Sequence, residues 1–238
     1  SEKSGESLIN IKLRQPVEEE ILKQLKLFQH IKEIRCVEPI LAVPSNRHGK
    51  LPFVSAEEML ALSEKTGKEL WQLGIEYEMA RSGWEYEKVW NYMENVVEIM
   101  ENSAREALKG DIDMAGIISP TAGKVEKYIK ENKKALDMGV LNTAVPWSMA
   151  TMEYSSAMGV VLCAPTGGSA GVFPGAVLGT ANHLGLSLEE KVKAMFVTSI
   201  IGIVMSKDCN YSAELYGCQV EPGAASGMAA GGLVYLMG

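Results

Sequence analysis

The 238-residue chain is long enough for one large domain or two small ones and for a substantial core. Hydrophobic residues at 47% and charged residues at 22% are an ordinary globular balance. A net charge of −7 without any basic run leaves no basic surplus to neutralise phosphates, which argues against a nucleic-acid partner.

Taken in chain order, residues 1–54 form an irregular, partly helical extension. PVEEEILKQLKLFQHIKEI has a charged, helix-like pattern, and CVEPILAVPSNRHGKLPF carries three prolines and a glycine that forbid long regular structure. From Ser55 the pattern turns helical. Ser55-Ala-Glu-Glu58 is a capping box, followed by EEMLALSEKTG at helical spacing. KELWQLGIEYEMARSG makes a second helix ending at Gly83, and WEYEKVWNYMENVVEIMENSAREALKG a third, closed by Gly110. In the third, Trp90, Met93, Val97, Met100, Ala104 and Leu108 fall at three- and four-residue steps and form a core stripe with no chemistry assigned.

Beyond Gly110, GDIDMAGIISPTAG reads as a loop and KVEKYIKENKKALDMG as a helix with a cationic end. LNTAVPWSMATMEYSSAMGVV, Leu186 to Ser206 (capped at Ser187-Leu-Glu-Glu190) and 223–237 complete the set. No turn-flanked alternating run is long enough for a strand, so the expected fold is all-α: a helical domain over 55–238 with two glycine-rich loops. MGVVLCAPTGGSAGVFPGAVLGTA is long and weakly polar, yet Pro165, Pro174 and its repeated glycines would break a spanning helix. It is expected to be a loop-interrupted core segment, with no membrane partner. The start shows no cationic stretch leading into an apolar core, and Cys36, Cys163, Cys209 and Cys218 are widely spaced. A cytoplasmic protein with reduced thiols is the expectation. LVYLMG ends inside an apolar helix, so the native protein is expected to continue past Gly238.

Two segments invite chemistry. In APTGGSAGVFPG, Ala164–Gly175, the glycines allow close backbone approach. Amides of the loop with the Thr166 and Ser169 hydroxyls could hold an anion such as a substrate carboxylate; a structural loop between packed helices would look the same. No Lys-Ser/Thr follows, which excludes a P-loop, and no βαβ unit frames a dinucleotide site. In SAELYGCQVEPGAASG, Cys218 stands where a helix begins. That position favours the thiolate, the form that binds metal; a free core cysteine is the alternative. The chain has no CxxC pair, so zinc-ribbon and ferredoxin patterns are absent. Glu153 and Glu214, isolated among small and apolar neighbours, are candidate pocket acids; Lys207, a lone cation after an apolar helix, is a similar candidate or a solvated helix end. Cys36 with His48 has the residue types of a nucleophile pair, without an evident Asn or Asp partner. His30 and His183 are read as solvent or core residues.

APTGGSAGVFPG followed by GCQVEPGAASGMAAGGLVYLMG resembles the catalytic alpha region of the iron–sulfur-dependent L-serine dehydratases, from about Phe53 to the end. The two motifs together are specific. The resemblance implies a [4Fe–4S] cluster held by three cysteines, with Cys218 as one, and an open iron site that takes the substrate hydroxyl. It implies elimination of water from a small amino acid, L-serine or a close analogue, giving pyruvate and ammonia. Thr166, Gly167, Gly168 and Ser169 would bind the substrate carboxylate, and Lys207 or Glu214 would serve as acid–base groups. The family's other two ligands fall downstream of this chain, and Cys163 and Cys209 do not match them. Ser119-Pro-Thr-Ala-Gly123 stands where the family has a glycine-rich substrate loop, and Glu214 is displaced by one position. CVEPILAVP resembles the CTEP segment of the related L-cysteine desulfidases, which would put Cys36 at the active site and make sulfide a product. A non-catalytic helical subunit without a complete cluster is the reading from a different class. A beta subunit or domain, or a homodimer, is the implied partner.

Overall fold

The computed structural model describes residues 9, 11, 13, 17–36, 49–114, 116 and 118–238. It divides into two compact units, Ser1–Pro44 and Ser45–Gly238. In the first, α1 (Glu19–Lys26) carries Glu19 and Glu20 in its first turn and Lys23 and Lys26 in its last, the charge order that the helix dipole favours. It buries none of its residues. His30 and Cys36 are exposed; the rest of CVEPILAVP and His48 lie outside the described residues.

The second unit is all-α, with no strand among the described residues. Ser55 caps α2 (Ala56–Thr66), its hydroxyl accepting from the Glu58 amide at 3.3 Å. The helix ends at Gly67, which takes a left-handed conformation. Gly83 closes α3 (Leu70–Ser82) in the same way, a backbone state that costs glycine no Cβ clash. α4 runs Tyr86–Leu108. Of its expected stripe, Val97, Met100 and Ala104 are buried, and Trp90, Met93 and Leu108 pack partly buried against them.

The helix expected from Lys124 to Gly139 is shorter and starts earlier. α5 spans Ala122–Glu131. Beyond it, the Asn132 side chain accepts from the Lys134 amide and the Asp137 side chain from the Gly139 amide, each at 2.9 Å. These local side-chain bonds offer the backbone an alternative to helix, and that alternative wins here. α6 (Leu141–Ser156) accommodates Pro146 within its length.

The Ala164–Gly175 segment is not simply a loop. A single 3₁₀ turn occupies Gly167–Ser169, and a π-helix spans Phe173–Gly179, continuing into α7 (Thr180–His183). Gly171, Gly175 and Gly179 recur at four-residue steps and lie on α6. A Cβ at Gly175 would stand 2.5 Å from Ser148 Cβ and 2.8 Å from the Ala144 carbonyl oxygen, and one at Gly171 2.7 Å from the Ser148 carbonyl oxygen. Only glycine permits this approach.

Ser187 and Glu190 form the expected reciprocal cap on α8 (Leu188–Met205). α8 is the central helix: α3, α4 and α10 all pack on it, and it buries Val192, Ala194, Met195, Phe196, Val197 and Ile200. A short α9 (Ala213–Tyr216) precedes α10 (Val220–Met237), which begins three residues before the expected start at 223. Gly202, Gly231 and Gly232 bring α8 and α10 together, facing Met228, Ile201 and Thr198 respectively. Among the described residues no helix is long and apolar enough to cross a membrane.

Four helices are tied by a buried polar network. Glu101 on α4 accepts from Lys191 Nζ of α8 at 2.8 Å and from Asn182 of α7 at 2.7 Å, while its other oxygen accepts from Arg105 at 2.8 Å. Lys191 also donates to Asn182 Oδ1 at 2.9 Å, and Asn182 Nδ2 donates to the Leu178 backbone carbonyl at the end of the π-helix at 2.8 Å. Each buried charge is therefore paired and hydrogen-bonded, the condition under which burial is tolerated.

Candidate functional site

The glycine loop owes its shape to Ser169. This residue is 1% exposed, and its hydroxyl lies 3.1 Å from Thr166 Oγ1, 3.1 Å from the Thr166 carbonyl and 3.3 Å from the Ala164 carbonyl. The Thr166 amide points to the same hydroxyl at 3.4 Å. Ser169 thus serves the loop from inside, while Gly167 and Gly168 form its exposed rim. The Ser169 and Ala170 amides close the 3₁₀ turn onto the Thr166 and Gly167 carbonyls. The Gly167 and Gly168 amides make no hydrogen bond among the described residues. The loop therefore offers two exposed, unpaired backbone donors next to the Thr166 hydroxyl, groups of the type that bind a carboxylate.

The second motif meets the first directly. α10 packs on the 3₁₀ turn, and the Glu221 carboxylate rests on Gly168. A Cβ at Gly168 would lie 2.3 Å from Glu221 Oε2 and 3.0 Å from Oε1, so the glycine makes room for the carboxylate. Glu221 belongs to the turn opened by Cys218, whose carbonyl accepts from the Glu221 amide at 3.3 Å. Cys218 is a free, exposed thiol, just before α10. Cys163 also adjoins the loop, its sulfur 3.6 Å from the position of a Gly167 Cβ. One neighbourhood therefore holds Thr166, Gly167, Gly168, Cys163 and Glu221, with Cys218 on the turn that carries Glu221. Glu221 was not singled out from sequence. It stands inside the GCQVEPG motif, and only the three-dimensional contact with Gly168 distinguishes it from any acid in a helix's first turn.

The other sequence candidates are placed elsewhere. Glu153 is the cap of α5: its Oε1 accepts from the Thr121 amide and hydroxyl, both at 2.8 Å, and from the Ala122 amide at 3.1 Å. Its isolation among small residues reflects the demands of a helix start. Gly123 sits against the Leu108 carbonyl oxygen, 2.4 Å from where a Cβ would be, so Ser119–Gly123 forms the α4–α5 junction. Glu214 is exposed on α9. The Ser212 hydroxyl at 2.5 Å and its own backbone amide hold its carboxyl below the usual range, which makes it a weaker proton acceptor. Lys207 follows α8 in an open surface recess of about 570 Å³ lined by Ser206, Asp208, Cys209, Asn210, Tyr211 and Tyr216. It lies near enough to Glu57 to be a minor cause, after the backbone and Ser55 hydrogen bonds, of that carboxyl's lowered pKa. His183 faces the Thr143 hydroxyl at 3.4 Å.

All four cysteines are free and exposed, and among the described residues no three His, Cys, Asp or Glu side chains converge as a ligand set. Cys218 has the chemistry and accessibility of one thiolate ligand, and a full three-cysteine set is not assembled from these residues alone.

Known sequences place this geometry in context. The chain is 29% identical over 186 residues to the probable L-serine dehydratase alpha chain of Bacillus subtilis, covering 78% of this chain and 62% of the relative. It is 28% identical to the L-serine dehydratase alpha chain of Peptoniphilus asaccharolyticus, covering 77% and 63%. Against L-serine dehydratase 1 of Escherichia coli identity is 28%, with 79% of this chain and 42% of the relative covered. The chain thus spans less than two thirds of the length of these curated relatives. The family model of the serine dehydratase alpha chain matches residues 65–238, from within α2 to the end of α10 and across both motifs. By that match, the chain belongs to the serine dehydratase alpha chain family.

Proposed function

We propose that this chain is the catalytic alpha part of an L-serine dehydratase, a lyase that eliminates water from L-serine to give pyruvate and ammonia. The observation that supports it is the convergence of the glycine loop with the Cys218–Glu221 turn, two segments far apart in sequence. The relatives' names suggest the substrate, and the loop is the place we assign to it. In this reading the Gly167 and Gly168 amides and the Thr166 hydroxyl take the substrate carboxylate. Ser169, buried and internally bonded, holds those donors in position. Fixed donors of this kind stabilise negative charge without reorganising during the reaction. Lys207 or Glu214 is the proposed acid–base group, Lys207 standing in the recess that includes Tyr216, two residues before Cys218.

The proposed cofactor is a [4Fe–4S] cluster to which Cys218 contributes one ligand. When bound, such a cluster supplies a Lewis-acidic iron that weakens the bond to the departing hydroxyl. An intracellular, reducing setting belongs to the proposal. So does a beta chain or domain, or a second copy, as partner: the relatives are named alpha chains, and Leu215, Tyr216, Val234 and Met237 leave apolar surface exposed beside this site and at the end of α10.

The test is product analysis with the full-length enzyme, reconstituted anoxically with its partner. Stoichiometric pyruvate and ammonia from L-serine are expected. Sulfide from L-cysteine with no turnover of L-serine would replace this reading by desulfidation. Tight binding of a small carboxylate with no turnover of either would replace it by a non-catalytic subunit.

A further inference from the structure

We infer that Glu221 recognises the α-ammonium of the substrate, so that the site selects amino acids over acids that lack the ammonium group. The inference rests on the proposed role of the loop as carboxylate holder and adds what that role does not supply, a reason for selectivity.

The Glu221 carboxylate lies on Gly168, with Oε2 2.3 Å from the site of the missing Cβ. It has no hydrogen-bond or ion-pair partner among the described residues. Next to it, the Gly167 and Gly168 amides are unpaired donors. A negative charge beside the unpaired loop amides repels a simple carboxylate at short range. The same arrangement suits a zwitterion, whose carboxylate and ammonium leave one carbon: the amides and Thr166 hydroxyl hold the first, and Glu221 pairs with the second. A charge-assisted bond of that kind is stronger than a neutral one. Other carboxylates named above fit the role less well. Glu153 is committed to the α5 amides, and Glu214 to Ser212.

Gly168 has a stated part in this arrangement. A methyl there would meet the far end of a flexible side chain, so the fold can absorb it, but only by moving the carboxylate off the loop. Gly168→Ala should therefore act in the same direction as Glu221→Gln without altering the charge.

The experiment compares L-serine with L-glycerate, which keeps the carboxylate and hydroxyl and lacks the ammonium. Both are measured on the full-length reconstituted enzyme, L-serine by KM, kcat and calorimetry, L-glycerate by calorimetry and competitive inhibition. Glu221→Gln is expected to weaken L-serine binding at least tenfold, through KM, and to leave L-glycerate unchanged or tighter. Gly168→Ala should shift the serine-to-glycerate ratio the same way. A purely structural Glu221, acting in the first turn of α10, would move both ligands alike, and an unchanged ratio in Glu221→Gln overturns the inference. So does a fall in kcat with KM untouched. Should the wild type turn over L-serine while the ratio holds in the mutant, this inference alone fails. A wild type that binds neither ligand sinks the proposed function with it.

Discussion

Replacing Gly175 by alanine tests how the π-helix is seated, because the atoms that a methyl would meet cannot move aside. Its Cβ would stand 2.5 Å from Ser148 Cβ, 2.8 Å from the Ala144 carbonyl oxygen and 2.9 Å from Ser148 Cα. Two of these are backbone atoms of α6 and the third is fixed to one. Overpacking in a well-filled interior costs about 1–3 kcal/mol, and contacts this hard belong at the upper end. Alanine regains about 1 kcal/mol over glycine inside a helix, so the net loss should be near 2 kcal/mol. For a domain of this size each kcal/mol lowers Tm by about 2–4 °C, which puts Gly175→Ala about 4–8 °C below wild type. Gly231→Ala is the matched control. Its methyl would overlap Ile201 Cδ1, with the next atom 3.4 Å away, and a rotamer change at that tip relieves it. Its expected effect is within about 1 kcal/mol of zero. Paired urea and thermal denaturation of the two variants decides the matter. Equal losses, or a Gly175→Ala protein as stable as wild type, would refute the claim that the glycine row seats this helix on α6.

Lys191→Met should leave the Glu101 carboxylate buried against Asn182 with only half-exposed Arg105 as a cation. Removing one partner of a buried pair costs about 3–5 kcal/mol, and the remaining arginine places this loss near 3 in denaturant melts; adding Glu101→Gln should cost less than the two singles summed. Ser187→Ala should change the acid side of the stability curve. The Ser187 side chain first, then its backbone amide, hold the Glu190 carboxyl below its ordinary value of 4.5. A depressed carboxyl contributes stability that is present above the ordinary value and lost as pH falls through the folded one. Ser187→Ala should therefore lower stability at neutral pH and flatten its decline from pH 4.5 downward, measured by urea titration across that window.

The helix boundaries that sequence reasoning found are those written in local chemistry. Ser187 with Glu190, Ser55 before its apolar run, and Gly67 and Gly83 in left-handed caps each act within one turn, so spacing alone exposes them. The π-helix was hidden because Pro174 and the glycines of Ala164–Gly175 are also loop residues. Their four-residue period acquires meaning only once α6 lies against it. The same holds for α5, where a helical pattern past Glu131 yields to side-chain bonds from Asn132 and Asp137. At the site, both motifs were legible as sequences. Their meeting was not, since Gly168 and Glu221 touch only through the packing of α10 on the 3₁₀ turn. Glu153 shows the converse: an isolated acid marked a helix cap, because the unpaired amides at a helix start attract a carboxylate as a substrate would.

The most direct test of the account is the iron and acid-labile sulfide content of the full-length, anoxically reconstituted protein, with Cys218→Ala and Cys209→Ala beside it. About four irons per chain are expected in the wild type and in Cys209→Ala, with iron and L-serine turnover lost together in Cys218→Ala. A Cys218→Ala protein that keeps wild-type iron and activity would contradict the assignment of Cys218 as ligand, and a wild type that turns over L-serine without iron would contradict the cluster.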